Sequence, residues 1–439
     1  MKKELKILGG GPSGLAVGFY AKRRNIKFRI HESIDRIGGN CKTYSHGNFK
    51  YDSGAHRFHD KNKEITKDIK LLLDEDLKKV NSPSKIYHDG LFYYFPIQIN
   101  DIIKKLGYRK FFKVAYEIIG LKGDKDDISF KNYAYNKYGK TLSNLFLINY
   151  TEKLWGRDSN VLDKSIAGDR LKKLTVISTL NKIIKSSSSK FTHYEGSFYY
   201  PKHGYGSIFD KILLNIGKAN VKFNSRIINF EHNETEIINY SDENETYYPD
   251  HIISTLPLNL MVSMFTPKPP EKIIQAAKKI KFRSLKLFII FLDTPFITKN
   301  ASIYFPEKKF PFTRIYEPKN RSKSLAPSNQ TSIVVEVPFN NDKDKKKSPI
   351  ESDDEKYKRI CALLEKEGFF SKSQILDHRV LTMKNAYPII ETNINIELNE
   401  LTKYFNSFKN LNLIGRNSLF KYIHTHKIFY DAKILVNNI

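Results

Sequence analysis

The chain is short of several things. It has only two cysteines, Cys41 and Cys361, in 439 residues. That excludes a disulfide scaffold and a cysteine-rich metal site, and it suits a reducing, cytoplasmic compartment. His56 and His59 stand three apart with no cysteine or carboxylate at ligand spacing, so no metal is expected. No run of 18 apolar residues occurs, and stretches such as Leu287–Leu292 have strand length, so no membrane-spanning segment is expected. Lys2 and Lys3 before a small, apolar run imitate a signal peptide, but no cleavage site follows and the glycine spacing there has another use. Acidic residues are scarce: 47 against 74 Lys and Arg, a net charge of +27. Such a balance suits nucleic acid, an anionic membrane surface or phosphorylated substrates. It equally suits a coding bias toward Lys, Asn and Ile, because the lysines are scattered. No nucleic-acid-binding module is recognisable, and nucleic acid is not expected as a partner. There is no internal repeat.

What the chain does have is concentrated at its start. Leu5–Leu8 reads as a short apolar strand running into Gly9-x-Gly11-x-x-Gly14. A helical pattern follows, then a second strand, Phe28–His31, ending on Glu32, 23 residues after Gly9. Gly9 permits the tight turn, Gly11 lets a pyrophosphate approach the backbone, and Gly14 lets the helix pack on the strand. The helix N-terminus offers unpaired N–H groups and a positive dipole end to the phosphates. Glu32 is placed to accept hydrogen bonds from ribose hydroxyls. Strand, glycines, helix, strand and acid in register predict a dinucleotide site.

Hairpins are expected at Thr43–Tyr51 and over 85–99, the latter turning at Asp89-Gly90. Residues 62–79 read as an amphipathic helix. From about 100 to 190 the pattern is helical, closing on a Ser/Lys tract, Lys185–Lys190. Tyr200-Pro-Lys-His-Gly204-Tyr-Gly206 opens another helix, and a strand pair, Val221–Phe230 and Glu234–Tyr240, follows. Residues 280–340 are mostly strands, and 340–355 form a charged linker. These patterns predict an α/β protein: a Rossmann-like domain assembled from discontinuous segments (1–84, 196–260 and 395–439), with a helical insertion (100–195) and an antiparallel sheet domain (85–99 and 261–394).

Several of these motifs recur together, in order, in one group. The chain resembles the UDP-galactopyranose mutase flavoproteins within the amine-oxidase and protoporphyrinogen-oxidase superfamily. The resemblance runs through Gly9–Gly14, Gly38-Gly39-Asn40, Gly54-Ala55-His56-x-Phe58-His59 and Phe95-Pro96. It continues through Tyr150-Thr151-x-Lys153-x-Trp155-Gly156, Arg170, Gly204-Tyr205, Pro311-Phe312-Thr313-Arg314, Glu336-x-Pro338 and Gly415-Arg416 with Tyr422. It implies FAD as the cofactor. Glu32 would hold the adenosine ribose, with Gly9, Gly11, Pro12, Ser13, Gly14 and Ser33 around the phosphates and sugar. Gly39 and Asn40 would lie along the cofactor. His56, Arg57 and His59 would pass the isoalloxazine ring, Ile227 would touch adenine, and Gly415 and Arg416 would contact the flavin. On the substrate side Phe146, Thr151 and Trp155 would hold a uridine. Arg170, Arg314 and Tyr422 would grip a diphosphate, and Arg170, Arg314 and His59 are the candidate catalytic residues.

Each residue also has a plainer reading. The histidines would be satisfied loop residues, Trp155 a core ring, and Arg314 and Arg170 surface cations. The pattern departs from the group at three places: a phosphate tyrosine falls at Val337, an acidic pair at His424 and His426, and an arginine at Leu174. These departures bear on the sugar nucleotide rather than on the flavin. The leading expectation is a redox-neutral sugar-nucleotide mutase working with reduced flavin on a small-molecule substrate. The rivals are an oxidoreductase dehydrogenating an amine, lipid or porphyrin-like molecule, and a non-enzymatic flavoprotein held at a membrane or polyanion by its charge.

Overall fold

The computed structural model describes residues 4–95, 97, 99–121, 127–168, 197–340 and 351–439. Its organising layer is a five-stranded sheet in which every neighbouring pair is parallel. Strand β1 (Leu5–Leu8) is central and pairs with β2 (Phe28–His31) on one side and with His251–Ser254 on the other. Val221–Lys222 extends the sheet beyond β2, and Leu411–Leu413 extends it beyond His251–Ser254. Widely separated parts of the chain therefore meet in one sheet. Helix α1 (Pro12–Arg23) is buried along nine of its residues and packs against the helices Ser207–Ile216 and Thr425–Asn437. Its Pro12 stands in the first turn, where a missing N–H costs nothing.

The expected long pair at 221–240 resolves into two functions. Val221–Lys222 joins the parallel sheet, and the hairpin begins only at Ile227, pairing Ile227–His232 with Ile237–Asp242. Asn224, with φ +52°, marks the break between them. The expected helix 62–79 stops at Leu73, where Asp74 takes a positive φ, and Leu77–Asn81 pairs as a strand with Ser197–Pro201.

A seven-stranded sheet carries the other half of the molecule. Its order is Ile375–Pro388, Phe282–Leu292, Thr331–Phe339, Arg314–Tyr316, Ser302–Tyr304, Ser84–His88, Leu91–Phe95. All pairs are antiparallel except Ser302–Tyr304 with Ser84–His88. The hairpin turn falls at Asp89-Gly90, both at positive φ, as the sequence pattern requires. Strand Phe282–Leu292 explains its own unbroken apolar run. Alternate residues point to opposite faces: Leu285, Leu287, Ile289 and Phe291 enter one core, while Phe288, Ile290 and Leu292 enter another.

Between the sheets lies a helical block. Its helix from Lys140 to Trp155 carries a π-turn at Ser143–Ile148 and ends where Gly156 adopts a left-handed conformation. The Arg283 guanidinium donates to the carbonyls of Lys153 and Leu154 at that end and sits where a Cβ on Gly156 would go. A cation at the helix C-terminus complements its dipole. Lys153 donates to the carbonyls of Glu307, Phe310 and Phe312 at 2.9 to 3.1 Å, tying this helix to the loop before Arg314.

Candidate functional site

The carboxyl ends of the parallel strands converge. Gly9 follows β1, Glu32 follows β2, Thr255 follows His251–Ser254, and Gly415 lies two residues beyond Leu413. The chain leaves β1 to one side and later returns on the other, and ligands of open parallel sheets bind at such a reversal. A cavity of about 440 Å³ opens there. Gly9, Gly11, Pro12, Ser13, Ser33, Gly39 and Asn40 line its glycine-rich end, and His56, Arg57 and His59 line its middle. Arg314, Arg416 and Tyr422 complete it from the large sheet and the C-terminal segment.

The three fingerprint glycines do separable work. Gly9 has φ +104°, and a Cβ there would lie 2.2 Å from Thr255 Oγ1. A Cβ on Gly14 would lie 1.9 Å from the Gly9 carbonyl oxygen, so helix and turn touch backbone to backbone. Gly11 is different: the nearest atom to its Cβ position is Gly39 Cα at 3.8 Å, and the space beside it belongs to the cavity. Glu32 is buried and accepts from the Gly10 N–H at 2.9 Å, while its other oxygen accepts from Ser33 and from the Ile34 N–H. Gly415 sits against α1; a Cβ there would be 2.3 Å from Ser13 Oγ.

Behind the cavity stands a buried carboxylate that sequence reasoning did not single out. Asp52 accepts from Thr43 Oγ1 at 2.6 Å, from the Tyr205 N–H at 3.0 Å and from the Tyr200 hydroxyl. Its carbonyl accepts from the Tyr316 hydroxyl. Burial pushes its pKa up, and these donors oppose the rise. Asp52 thereby pins the Thr43–Asp52 hairpin to the Gly204–Gly206 turn, and Tyr205 to the cavity wall. His56 stacks on Tyr205 with ring centroids 5.1 Å apart. Burial, with Arg416, Arg321 and Arg314 nearby, lowers its pKa to about 3, so the ring is neutral. Its Nε2 is buried and has no partner.

Arg314 is not a surface cation. Its Nε and Nη2 donate to the two carboxylate oxygens of Glu336, each at 2.8 Å, in a bidentate pair. Burial opposes its charge, but Glu336 more than offsets this and raises its pKa above the ordinary value. Glu336 also accepts from the Ala55 N–H, joining the large sheet to the His56 segment. Arg416 donates to the carbonyls of Ile423 and Ala386 and lies over the Tyr422 ring. Arg57 donates to Ser84 and Ser302.

The remaining expected residues stand further back. Trp155 is buried and meets Tyr387 and Tyr422 edge-on, at 5.8 and 5.6 Å, and those two rings line the cavity. Thr151 is buried on the same helix. Phe146 is buried in the π-turn against His88 and Tyr93 and does not line the cavity. Ile227 is buried at the start of its strand and is likewise absent from the lining. Arg170 lies outside the described residues. Lys384, Tyr387, Thr255 and Asn417 line the cavity without having been expected to. Thr255 and Tyr205 sat beside patterns the sequence displayed; nothing in the sequence marks Lys384. His59 and His424 line the cavity with ring centroids 6.4 Å apart, and His426 stacks on His424 at 6.0 Å. Among the described residues no group of side chains is arranged to hold a metal ion.

Residues 12–387 match the family described as flavin containing amine oxidoreductase. The dTDP-fucopyranose mutase of Escherichia coli is 24% identical over 224 residues, which is 47% of this chain and 53% of that protein. The chain thus spans about half the length of that curated relative. The crystal structure of reduced UDP-galactopyranose mutase superposes with a TM-score of 0.87 at 17% identity, over 100% of this chain and 94% of the other. Cyclohexylamine oxidase from Brevibacterium oxydans IH-35A superposes at 0.71 and 11% identity, over 100% and 98%. At such identities these structures establish the fold.

An adenine-linked flavin fits the residues present. The glycine turn leaves open backbone at the N-terminus of α1, where a pyrophosphate would have room. Glu32 stands at the end of β2, and the partnerless His56 Nε2 belongs to a cavity-lining ring.

Proposed function

This chain belongs to the flavin-containing amine oxidoreductases and is an FAD-dependent enzyme, and on that basis we propose that it is a mutase interconverting the ring forms of a sugar carried on a nucleoside diphosphate. One observation carries the reading. Arg57, Arg314, Lys384 and Arg416 line the cavity, and among the described residues no aspartate or glutamate does. A protonated amine entering this space would meet Arg57, Lys384 and Arg416, and the carboxylate nearest Arg314, Glu336, is already taken by that guanidinium. A diphosphate is the complementary ligand, and guanidinium forks match its oxygens. The likeness to two proteins named as nucleotide-sugar mutases supports the same substrate class.

Bound reduced flavin would supply a nucleophilic ring nitrogen for the anomeric carbon. The chain's residues would do the rest. Arg314, held by Glu336 through two of its nitrogens and lining the cavity, would meet a phosphate oxygen with its remaining nitrogen. Such preorganised charge stabilises a departing diphosphate because it needs no reorientation as charge develops. Tyr422 and Tyr387, backed by Trp155, form an aromatic wall for sugar or base. Thr151 and Phe146 lie on the same helix as Trp155 and are buried outside the cavity lining, so they would act only by fixing that helix. Neutral His56, and His59 with His424, flank the space for the ring.

One observation favours a second reading, net dehydrogenation of a small molecule or lipid: the position of the group's second phosphate tyrosine is Val337, buried and apolar. The test is anaerobic, chemically reduced enzyme incubated with UDP- and dTDP-sugars in pyranose and furanose forms. The mutase reading expects the ring forms to interconvert with no net use of reductant. Unchanged sugar nucleotides, with an amine or lipid bleaching the oxidised flavin, would overturn it.

A further inference from the structure

The helix Tyr108–Ile119 packs one face inward through the buried Val114 and Ile118. Its other side is apolar too. Tyr108, Phe112, Tyr116 and Ile119 follow one another at spacings of three and four residues, so they form a single stripe. They are 77%, 67%, 81% and 82% exposed. Isolated apolar residues on a surface are ordinary, but four large ones in one stripe mark a surface that meets something. Arg109, Lys110 and Lys113 on the same helix are exposed as well. At 100° per residue, Arg109 and Lys113 run alongside the stripe next to Tyr116. The helix has one carboxylate, Glu117, and it is turned away: its oxygens accept from the Thr141 N–H and hydroxyl.

Charge decides what fits. Two copies meeting through this stripe would set cations against their own equivalents, with no acid on the helix face to receive them. An anionic bilayer matches both parts, because tyrosine and phenylalanine settle at the headgroup level while Lys and Arg meet lipid phosphates. We propose that the exposed face of helix Tyr108–Ile119 docks on an anionic lipid surface, with Tyr108, Phe112, Tyr116 and Ile119 entering the headgroup region and Arg109 and Lys113, which flank the stripe, contacting the phosphates. The contact is peripheral: no described helix is long and apolar enough to cross a membrane.

The experiment is co-sedimentation of the full-length, FAD-loaded protein with vesicles of equal parts phosphatidylglycerol and phosphatidylcholine, and with phosphatidylcholine alone. Binding is expected on the anionic vesicles, weakening as salt is raised. The double substitution Phe112→Ser with Tyr116→Ser is expected to lower the partition coefficient at least ~10-fold, since it removes two aromatic anchors. Arg109→Glu with Lys113→Glu is expected to abolish the preference for anionic lipid. Leu214→Ser, 76% exposed on the separate helix Ser207–Ile216, should change nothing, and an unaltered flavin spectrum reports that each variant is folded. No binding at low salt, equal binding to neutral vesicles, or binding indifferent to the aromatic pair would overturn the proposal. So would a dimer that the aromatic pair dissociates while vesicle binding is absent.

Discussion

Arg314 and Glu336 show how a residue legible in the sequence acquires a partner that is not. The Arg314 motif carried a resemblance and pointed to phosphate, but the bidentate grip of Glu336 comes from register, which pairs the two residues across neighbouring strands. Removing one partner leaves a buried charge uncompensated. Glu336→Ala is expected to cost about 3–5 kcal/mol, read as a shift of the denaturation midpoint. Replacing both by apolar residues of similar volume should recover most of it. The buried histidines give a pH dependence with a definite sign. Burial first, then nearby cations, lowers His56 to about 3 and His31 to about 4. The unfolded chain therefore takes up protons near pH 6.5 that the folded chain refuses. Their contribution is complete above pH 6.5 and is lost as pH falls toward 4, by about 2 kcal/mol each at pH 5. Thermal denaturation at pH 7 and pH 5 should show this fall, and His56→Gln should reduce it; a midpoint unchanged between the two pH values would contradict it.

At the scale of elements, the turn between β1 and α1 was readable because each glycine answers a steric demand that local sequence states by itself. The structure separates those demands. At Gly14 an added Cβ collides with backbone, which cannot give way. Gly14→Ala should therefore impair folding with or without cofactor. Gly11 has an extended backbone, φ −77°, and room for a methyl group. Gly11→Ala should leave stability unchanged or raise it slightly, by about 0.4–1 kcal/mol, while weakening FAD at least ~10-fold by obstructing the pyrophosphate. Fluorescence of released FAD and denaturation of the stripped protein measure the two effects independently. Loss of both in Gly11→Ala would show that this turn is structural throughout. The π-turn at Ser143–Ile148 had no such local signature. Phe146 is buried within it, its ring 5.1 Å from Tyr93 of the Ser84–Phe95 hairpin, a contact that local sequence does not state. Val221–Lys222 was legible as strand, but as the start of one running to Phe230; its separate place beside β2 is defined only by that pairing.

At the scale of the molecule, the flavin site belongs to no single stretch of chain. Residues 9–59 supply its floor, 205 and 255–257 one wall, 314 and 383–387 another, and 416–428 the closing side. The sequence displayed the first and last of these because phosphate binding and a glycine pair leave compact motifs. Of the middle it displayed Arg314 and Tyr205 but hid the wall around Lys384, which is made by the far end of strand Ile375–Pro388, whose position depends on a register spanning Phe282–Leu292. A ligand spanning these stretches would link their folding. FAD at about 100 times its dissociation constant should stabilise the protein by about 2.7 kcal/mol, so stripping it should lower the melting temperature and speed proteolysis. The sharper consequence concerns the C-terminal segment. Leu411–Leu413 pairs with the strand beside β1, Gly415 packs on Ser13, and Arg416 and Tyr422 line the cavity. A chain ending before Leu411 keeps the whole fingerprint and Glu32, yet it should purify colourless and fail to bind added FAD. If it instead retained yellow, stoichiometric flavin, the site would be held without its C-terminal stretch, and the joint cradle would be wrong.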